Sequence, residues 1–277
     1  MSIYKKIKLK IFNLIMNLMF MMRERYKHIS INAVISKDVK RALVDIDISR
    51  ITIEESRRFK DKIDTHVMIT NLPQHKDIFY FKNFPLPCVL ELDYSAKDKW
   101  LTDENYYPLY FNLYKILTSN MERVRMLEIG VRTGYQGVVF AKACEHKTVA
   151  FFTGLDPNIY LENGLSLAGE SLKILRNNCT NFDFVLYEGY SWEQSIQRSL
   201  LHSGPYDIIH IDGDHSLQGK LVDLELSRRL LAHDGIVLVD DYDHHVIIKD
   251  AIKRAIVAGW FKEFLYIKTL HGLAILR

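Results

Sequence analysis

From residue 105 to the end, the chain alternates short apolar runs with longer amphipathic stretches, and this alternation limits its fold more than any other feature. The apolar runs are VRMLEIG (124–130), VAFFTGLD (149–156), FDFVLYEG (182–189), YDIIHIDGD (206–214) and GIVLVDD (235–241). Helical periodicity covers Tyr110–Leu117 ahead of them, then Gln136–Glu145, Gly164–Asn177, Trp192–Leu201, Leu217–Leu231 and His245–Ala258. Short buried strands separated by helices are βαβ units, which require a parallel sheet covered by helices on both faces. The ending differs: FLYIKT, a break at Leu270–Gly272 and then LAILR form a terminal hairpin instead of another crossover. The fold class is therefore α/β, with a doubly wound sheet over residues 105–277.

The 104 residues before this region are less regular. Residues 1–28 hold seven Lys/Arg (Lys5, Lys6, Lys8, Lys10, Arg23, Arg25, Lys27) against the single Glu24. The whole chain sums to +3, so the remainder is mildly acidic, and such a body does not fit a nucleic-acid partner. Within the basic segment, Ile3, Ile7, Ile11, Leu14, Ile15, Leu18 and Met22 recur at helical spacing. The apolar run 11–22 is too short to span a bilayer, which takes roughly 20 residues, and no small-residue cleavage site follows it. A basic amphipathic helix of this kind either lies on an anionic membrane surface or packs on its own domain or a second subunit. Packing is the favoured reading, because Met- and Leu-rich stripes are more often packing surfaces. Residues 29–104 read as an accessory or lid region. In it VDIDISRITIEE (44–55) alternates like a strand, Glu54–Asp64 reads as a polar helix, and Pro73, Pro85 and Pro87 punctuate loops. Three widely spaced cysteines (Cys88, Cys144, Cys179) form no CxxC pair, so neither a zinc knuckle nor a disulfide framework is expected. The expected setting is cytoplasmic, with residues 1–28 as the means of any peripheral contact at the inner membrane face.

In an open parallel sheet, ligands bind beyond the carboxyl ends of the strands, and those ends carry the polar residues here. The first strand runs into Glu128-Ile129-Gly130-Val131-Arg132-Thr133-Gly134, whose glycines permit a tight turn and a close backbone approach. The second ends at Asp156, 26 residues after Gly130, near where nucleotide-binding sheets place the acid that bonds ribose hydroxyls. The third ends Glu188-Gly189-Tyr190-Ser191. The fourth ends Asp212-Gly213-Asp214-His215 and the fifth ends Asp240-Asp241. Carboxylates gathered in one cleft repel one another unless something neutralises them. A hard divalent cation with oxygen ligands does so, which makes Asp212, Asp240 and Asp241 candidate metal ligands. The bland alternative, that each caps a helix, holds for any one Asp but less well for three at neighbouring strand ends.

Taken in order, LEIGVRTG, GLDP, EGYS, IDGDHS and VLVDDY resemble a class I S-adenosylmethionine-dependent methyltransferase. More narrowly they resemble the metal-dependent O-methyltransferases of small molecules, the macrocin, mycinamicin and rhamnosyl sugar enzymes, with catechol O-methyltransferase more distant. The resemblance covers roughly residues 105–277 and rests mainly on IDGDH with VDDY. It implies a Rossmann-like, mostly parallel sheet whose closing hairpin supplies an antiparallel last strand. It also implies that Glu128, Gly130 and Gly134 line the methionine end of the cofactor, with Arg132 and Thr133 of the same turn counted among the cofactor-binding residues, and that Asp156 takes the ribose hydroxyls. Gly189 and Ser191 then stand by the adenine. Asp212 borders both cofactor and metal, and Asp212, Asp240 and Asp241 hold Mg²⁺ or Mn²⁺. Arg132 departs from the family's usual middle glycine, and its side chain could reach the cofactor's carboxylate instead. Within the family the base is either the second Asp of DGD or the following His, here Asp214 or His215. His215 is preferred, because an imidazole with an ordinary pKa near 6.5 accepts a proton at neutral pH.

The expected activity is methyl transfer to a hydroxyl of a small molecule, and bidentate metal binding favours a vicinal diol, hence a sugar or glycosylated acceptor. A homo-oligomer is expected. The competing readings are a non-catalytic cofactor-binding protein, a nicotinamide-dependent oxidoreductase (disfavoured by the absent GxGxxG), and a membrane-surface accessory protein of glycan or natural-product biosynthesis. Three further groups are left with bland readings. His210 is a core histidine, Asp243-His244-His245 open the next helix, with substrate contact as their alternative, and Trp100, Tyr106 and Tyr107 either cover the site or pack between regions.

Overall fold

The computed structural model describes residues 35–44, 48–63, 72–73, 106–144, 148–157, 164–269 and 271–277. The expected helix at 1–28 and Trp100 lie outside them. The elements are α1 (Lys37–Ala42), a 3-10 turn (Ile48–Arg50), α2 (Arg57–Lys62), α3 (Tyr106–Thr118), β1 (Arg123–Ile129), α4 (Tyr135–Cys144), β2 (Val149–Asp156), α5 (Gly164–Asn178) and β3 (Phe182–Glu188). They continue through α6 (Gln194–Ser203), β4 (Tyr206–Ile211), α7 (Leu217–Leu230), β5 (Leu231–Val239), α8 (Val246–Val257), β6 (Phe264–Ile267) and β7 (Leu273–Leu276). Every strand and helix expected beyond residue 105 is present, with boundaries moved by at most four residues.

The seven strands form one sheet in the order β3-β2-β1-β4-β5-β7-β6. The first five are parallel, while β7 runs antiparallel to both β5 and β6. The order reverses between β1 and β4, so the chain leaves a crevice outside their carboxyl ends, where an open α/β sheet binds its ligand. Two apolar layers clamp the sheet. One gathers Tyr110, Leu113, Tyr114, Val138, Phe140, Phe152, Leu172 and Leu175 from α3, α4, α5 and β2. The other gathers Leu200, Leu221, Leu224, Ile248, Ile252, Val237 and Val239 from α6, α7, α8 and β5.

Close approach of helix to sheet depends on local glycine. A Cβ on Gly137 of α4 would stand 3.1 Å from the Phe152 ring and 3.0 Å from Leu172, so the bare backbone lets α4 settle onto that ring. Phe152 is fully buried. Phe152→Ala should therefore cost about 3–5 kcal/mol, the range for emptying a large aromatic site, read as a fall in Tm and in the denaturant midpoint.

Among the described residues of 44–55 the expected strand does not form. Its described part holds the 3-10 turn at Ile48–Arg50 and then extended backbone. Ser56 N donates to Phe264 O at 2.7 Å and Tyr266 N to Glu55 Oε1 at 3.2 Å, so this stretch touches the β6 edge through a single backbone bond and builds no ladder. The polar helix expected at 54–64 is present in shortened form as α2. The α1 segment is tied to the helical face: Arg254 Nη1 donates to Ala42 O and Val44 O at 3.1 and 2.9 Å, and Arg228 Nη2 to Asp38 at 3.0 Å. Among the described residues no helix is long and apolar enough to cross a membrane.

Candidate functional site

The end of β1 turns sharply because its backbone enters the left-handed region three times. Gly130 has φ +97°, Arg132 φ +50° and Gly134 φ +84°. Gly130 N donates to Leu155 O at 2.8 Å, and the turn closes with Gly134 N on Val131 O at 2.8 Å. Arg132 accepts the left-handed conformation, and its own N–H donates to Asp156 Oδ2 at 2.8 Å. Asp156 thereby fastens the turn to the end of β2. Gly189 N reaches Asp156 O at 3.1 Å, which brings the β3 end alongside. There Tyr190 stacks on Trp192 at 4.1 Å and Ser191 is buried.

At the switch point a cavity of about 270 Å³ opens. Of the residues expected from sequence, Glu128, Gly130, Arg132, Thr133, Asp212, His215, Asp240 and Asp241 line it. Gly134, Asp156, Gly189 and Ser191 stand on the neighbouring strand ends outside its lining. Asp214 is also outside. Its Oδ1 accepts from Ser216 N at 2.9 Å, and its side chain lies so close over Gly219 that a Cβ there would meet Oδ2 at 2.2 Å. Asp214 therefore braces the first turn of α7, while Ser216 caps it by accepting from Gly219 N at 3.1 Å.

The cavity floor is acidic and largely dry. Asp240, 3% exposed, accepts from the Tyr106 hydroxyl at Oδ2 and from Asp241 N at Oδ1, the latter at 2.9 Å. Burial, with Asp212 beside it, pushes the Asp240 carboxyl above its ordinary range. Burial also pushes Glu128 up to about 7, although His210 opposes the shift. Asp241 adopts φ +60°, a conformation non-glycine residues seldom hold. Burial raises its pKa, but the His215 hydrogen bond and the charges of His215 and His271 outweigh this and hold it low. His215 Nε2 lies 3.1 Å from Asp241 Oδ2 and 3.9 Å from Asp212 Oδ1. These two carboxylates raise the imidazole to about 9.

Several lining residues carried no functional assignment in the sequence. Gln136, on the first turn of α4, takes the Tyr114 hydroxyl on Oε1 at 3.2 Å, while its buried Nε2 has no hydrogen-bond partner among the described residues. The buried Glu128 Oε2 is likewise without one. His271 enters from the β6–β7 turn, with Nδ1 3.4 Å from Asp241 Oδ1. Its signal was indirect: a strand antiparallel to β5 must begin beside the end of β5, which places the hairpin turn at the cavity. Backbone bonds from Asp243 N and His244 N to His271 O, at 2.7 and 3.2 Å, hold that turn down. His244 and His245 complete the rim. Tyr106, left open between cover and packing, is a wall of the cavity.

As to cations, Asp212, Asp240 and Asp241 share the floor. The donor atoms that converge, within 4.8 Å of one another, belong to Asp241, His215 and His245. Asp241 is common to both sets, and carboxylate oxygens facing a cavity suit a hard divalent cation.

Residues 127–242 match a family model described as a methyltransferase domain. An O-methyltransferase, ankF, of Aspergillus thermomutatus is 27% identical over 143 residues, which cover 52% of this chain and 56% of that protein. The curated relatives are thus spanned over 56% and 62% of their lengths. Among solved structures, a TDP-rhamnose 3′-O-methyltransferase of calicheamicin biosynthesis aligns with TM-score 0.53 at 16% identity, covering 84% of this chain and 99% of that one. An O-methyltransferase from Bacillus cereus, in complex with S-adenosylhomocysteine, aligns with TM-score 0.53 at 15% identity over 77% of this chain and 96% of its own. At these identities the structures show a shared fold and no more.

Proposed function

We propose that the chain, whose residues 127–242 match a methyltransferase-domain model, transfers the methyl group of S-adenosylmethionine to a hydroxyl of a small molecule. The observation that carries this reading is the unmatched pair at the cavity's buried end. Glu128 Oε2 is an acceptor and Gln136 Nε2 a donor, both buried and both without a partner among the described residues, and both residues line the cavity. Unpaired buried polar atoms cost free energy. The amino-acid end of the cofactor brings an ammonium for the first and a carboxylate for the second. Arg132, Thr133 and the 130–134 backbone border that end, Asp156 takes the ribose, and Gly189 and Ser191 flank the adenine.

The acceptor hydroxyl then lies over Asp212, Asp241 and His215. His215 is the base, since it lines the cavity and Asp214 does not; it takes the hydroxyl proton as the new C–O bond forms and the sulfonium C–S bond breaks. Asp241 orients the imidazole and stabilises its charged form. Asp212, Asp240 and Asp241 would hold a divalent cation, Mg²⁺ or Mn²⁺, which when bound lowers the pKa of the acceptor hydroxyl. A sugar diol is the favoured acceptor class. Two oxygens suit such a cation, and the fold is shared with a sugar O-methyltransferase.

The test is calorimetric titration of S-adenosylhomocysteine into the full chain, then of Mn²⁺ into the complex. The expectation is micromolar-range binding of the first and one equivalent of the second. Asp241→Asn should lose most Mn²⁺ affinity while S-adenosylhomocysteine binds within about 3-fold of wild type, a change under 1 kcal/mol. Absence of S-adenosylhomocysteine binding would overturn the activity, and absence of Mn²⁺ binding would remove only the metal.

A further inference from the structure

His210 is wholly buried in β4 next to the cavity floor, and methyl transfer as described gives it no task. Both of its ring nitrogens are engaged. Nδ1 lies 3.4 Å from Glu128 Oε1 and Nε2 lies 3.3 Å from the Tyr110 hydroxyl of α3. A neutral imidazole has one hydrogen for these two partners. With that hydrogen on Nδ1, the tautomer that donates to the Glu128 carboxylate, Nε2 accepts and the Tyr110 hydroxyl donates to it. The direction of the Tyr110 hydroxyl is thus dictated from Glu128. One helical turn earlier, Tyr106 sets its ring edge-on against Tyr110, with centroids 5.1 Å apart, and donates its own hydroxyl to Asp240. A continuous set of contacts therefore runs from the carboxylate at the cofactor end to the one beneath the acceptor. It passes through α3, which belongs to neither strand end.

We propose that His210 and Tyr110 are positioning residues that couple occupancy of the cofactor's amino-acid end, at Glu128, to the placement of Tyr106 and Asp240 on the acceptor side. The inference rests on the methyltransferase reading above. Without a ligand, Glu128 is held by His210 through one oxygen alone. A donor on Oε2 fixes the carboxylate from both sides, keeps the imidazole hydrogen on Nδ1 and locks Tyr110 to Nε2. The face of α3 that bears Tyr106 is then held against Asp240, and the acceptor side is assembled only behind a bound cofactor.

Hydrogen exchange of the full chain, with two ligands, tests this. S-adenosylhomocysteine carries the amino-acid end; 5′-methylthioadenosine keeps the adenosine and the thioether but lacks it. Both should protect the turn at 189–192. S-adenosylhomocysteine should also slow the α3 amides (106–118) at least about 5-fold, the lower bound of ordinary site-to-site coupling, and 5′-methylthioadenosine should leave them unchanged. Tyr110→Phe, which removes one hydroxyl, should keep protection at 189–192 and lose the slowing of α3. His210→Leu should do the same, and if it fails to fold, Tyr110→Phe decides alone. Equal slowing by the two ligands, or slowing retained in Tyr110→Phe, would overturn the coupling. If S-adenosylhomocysteine protected neither region, the methyltransferase reading would fall first, a pattern distinct from protection at 189–192 alone.

Discussion

Gly130→Ala is expected to abolish S-adenosylhomocysteine binding and to lower Tm more than any other single added methyl in the domain. An ideal Cβ at this position stands 2.3 Å from the Asp212 carbonyl oxygen and 2.5 Å from its carbon. Both obstacles are backbone, and both are fixed, because Asp212 N donates to Ile129 O at 2.8 Å and Gly130 N to Leu155 O at 2.8 Å. The φ of +97° adds the left-handed penalty of about 1–2 kcal/mol. Relief requires the end of β1 to separate from the end of β4, which is where the cavity is built. The total should exceed about 3 kcal/mol, since strain and lost ladder bonds add. Gly259→Ala is the control. Its φ is +73° with nothing within 4 Å of the added carbon, so it should cost only that left-handed penalty of about 1–2 kcal/mol and leave binding intact. Thermal unfolding and calorimetry of the two variants separate collision from backbone preference. Wild-type affinity in Gly130→Ala would show that this turn does not carry the cofactor.

The sheet was legible because its strands are buried on both faces. Such strands read as continuous apolar runs, and VAFFTGLD or GIVLVDD can hardly be anything else between helical periods. Strand-end polar residues were legible for the same reason: a carboxylate that closes an apolar run has to project at the carboxyl edge of a parallel sheet. What escaped were residues whose position depends on where other elements pack. Gln136 looks like any first-turn glutamine until α4 sits on β1. His271 looks like a loop histidine until the antiparallel order of β7 carries its turn to the end of β5. Tyr106 needed the path of α3 across the switch point. Asp214 shows the reverse case. The DGD motif presents it as an equal of Asp212, but the short step into α7 turns it back onto Ser216 and Gly219. The alternation in 44–55 was a true pattern with no partner strand in register. A period of two specifies faces, not pairing.

His215→Ala should depress turnover on a diol acceptor by roughly 10²–10⁴-fold, the usual worth of a positioned general base, with S-adenosylhomocysteine affinity essentially unchanged. The imidazole touches the acceptor side alone, so the loss should appear in kcat. The pH behaviour distinguishes a base from a mere contact. Asp212 and Asp241 hold His215 to about 9, above its ordinary value near 6.5. In the metal-free protein it is therefore protonated at neutral pH, and turnover should climb with pH until it levels beyond about 9. Stability runs the other way. A folded-state pKa raised above the unfolded one gives stabilisation that is complete below about pH 6.5 and lost as pH rises through about 9. Wild type should accordingly forfeit its Tm advantage over His215→Ala across that interval. A divalent cation beside the same two carboxylates competes with the imidazolium for their charge and lowers its pKa, so added Mn²⁺ should move the rising limb of turnover to lower pH. In Asp241→Asn the imidazole loses one of the two groups that raise it, and the limb should already lie lower without any cation. A pH profile identical in wild type and Asp241→Asn, with or without Mn²⁺, would exclude His215 as the group that takes the proton.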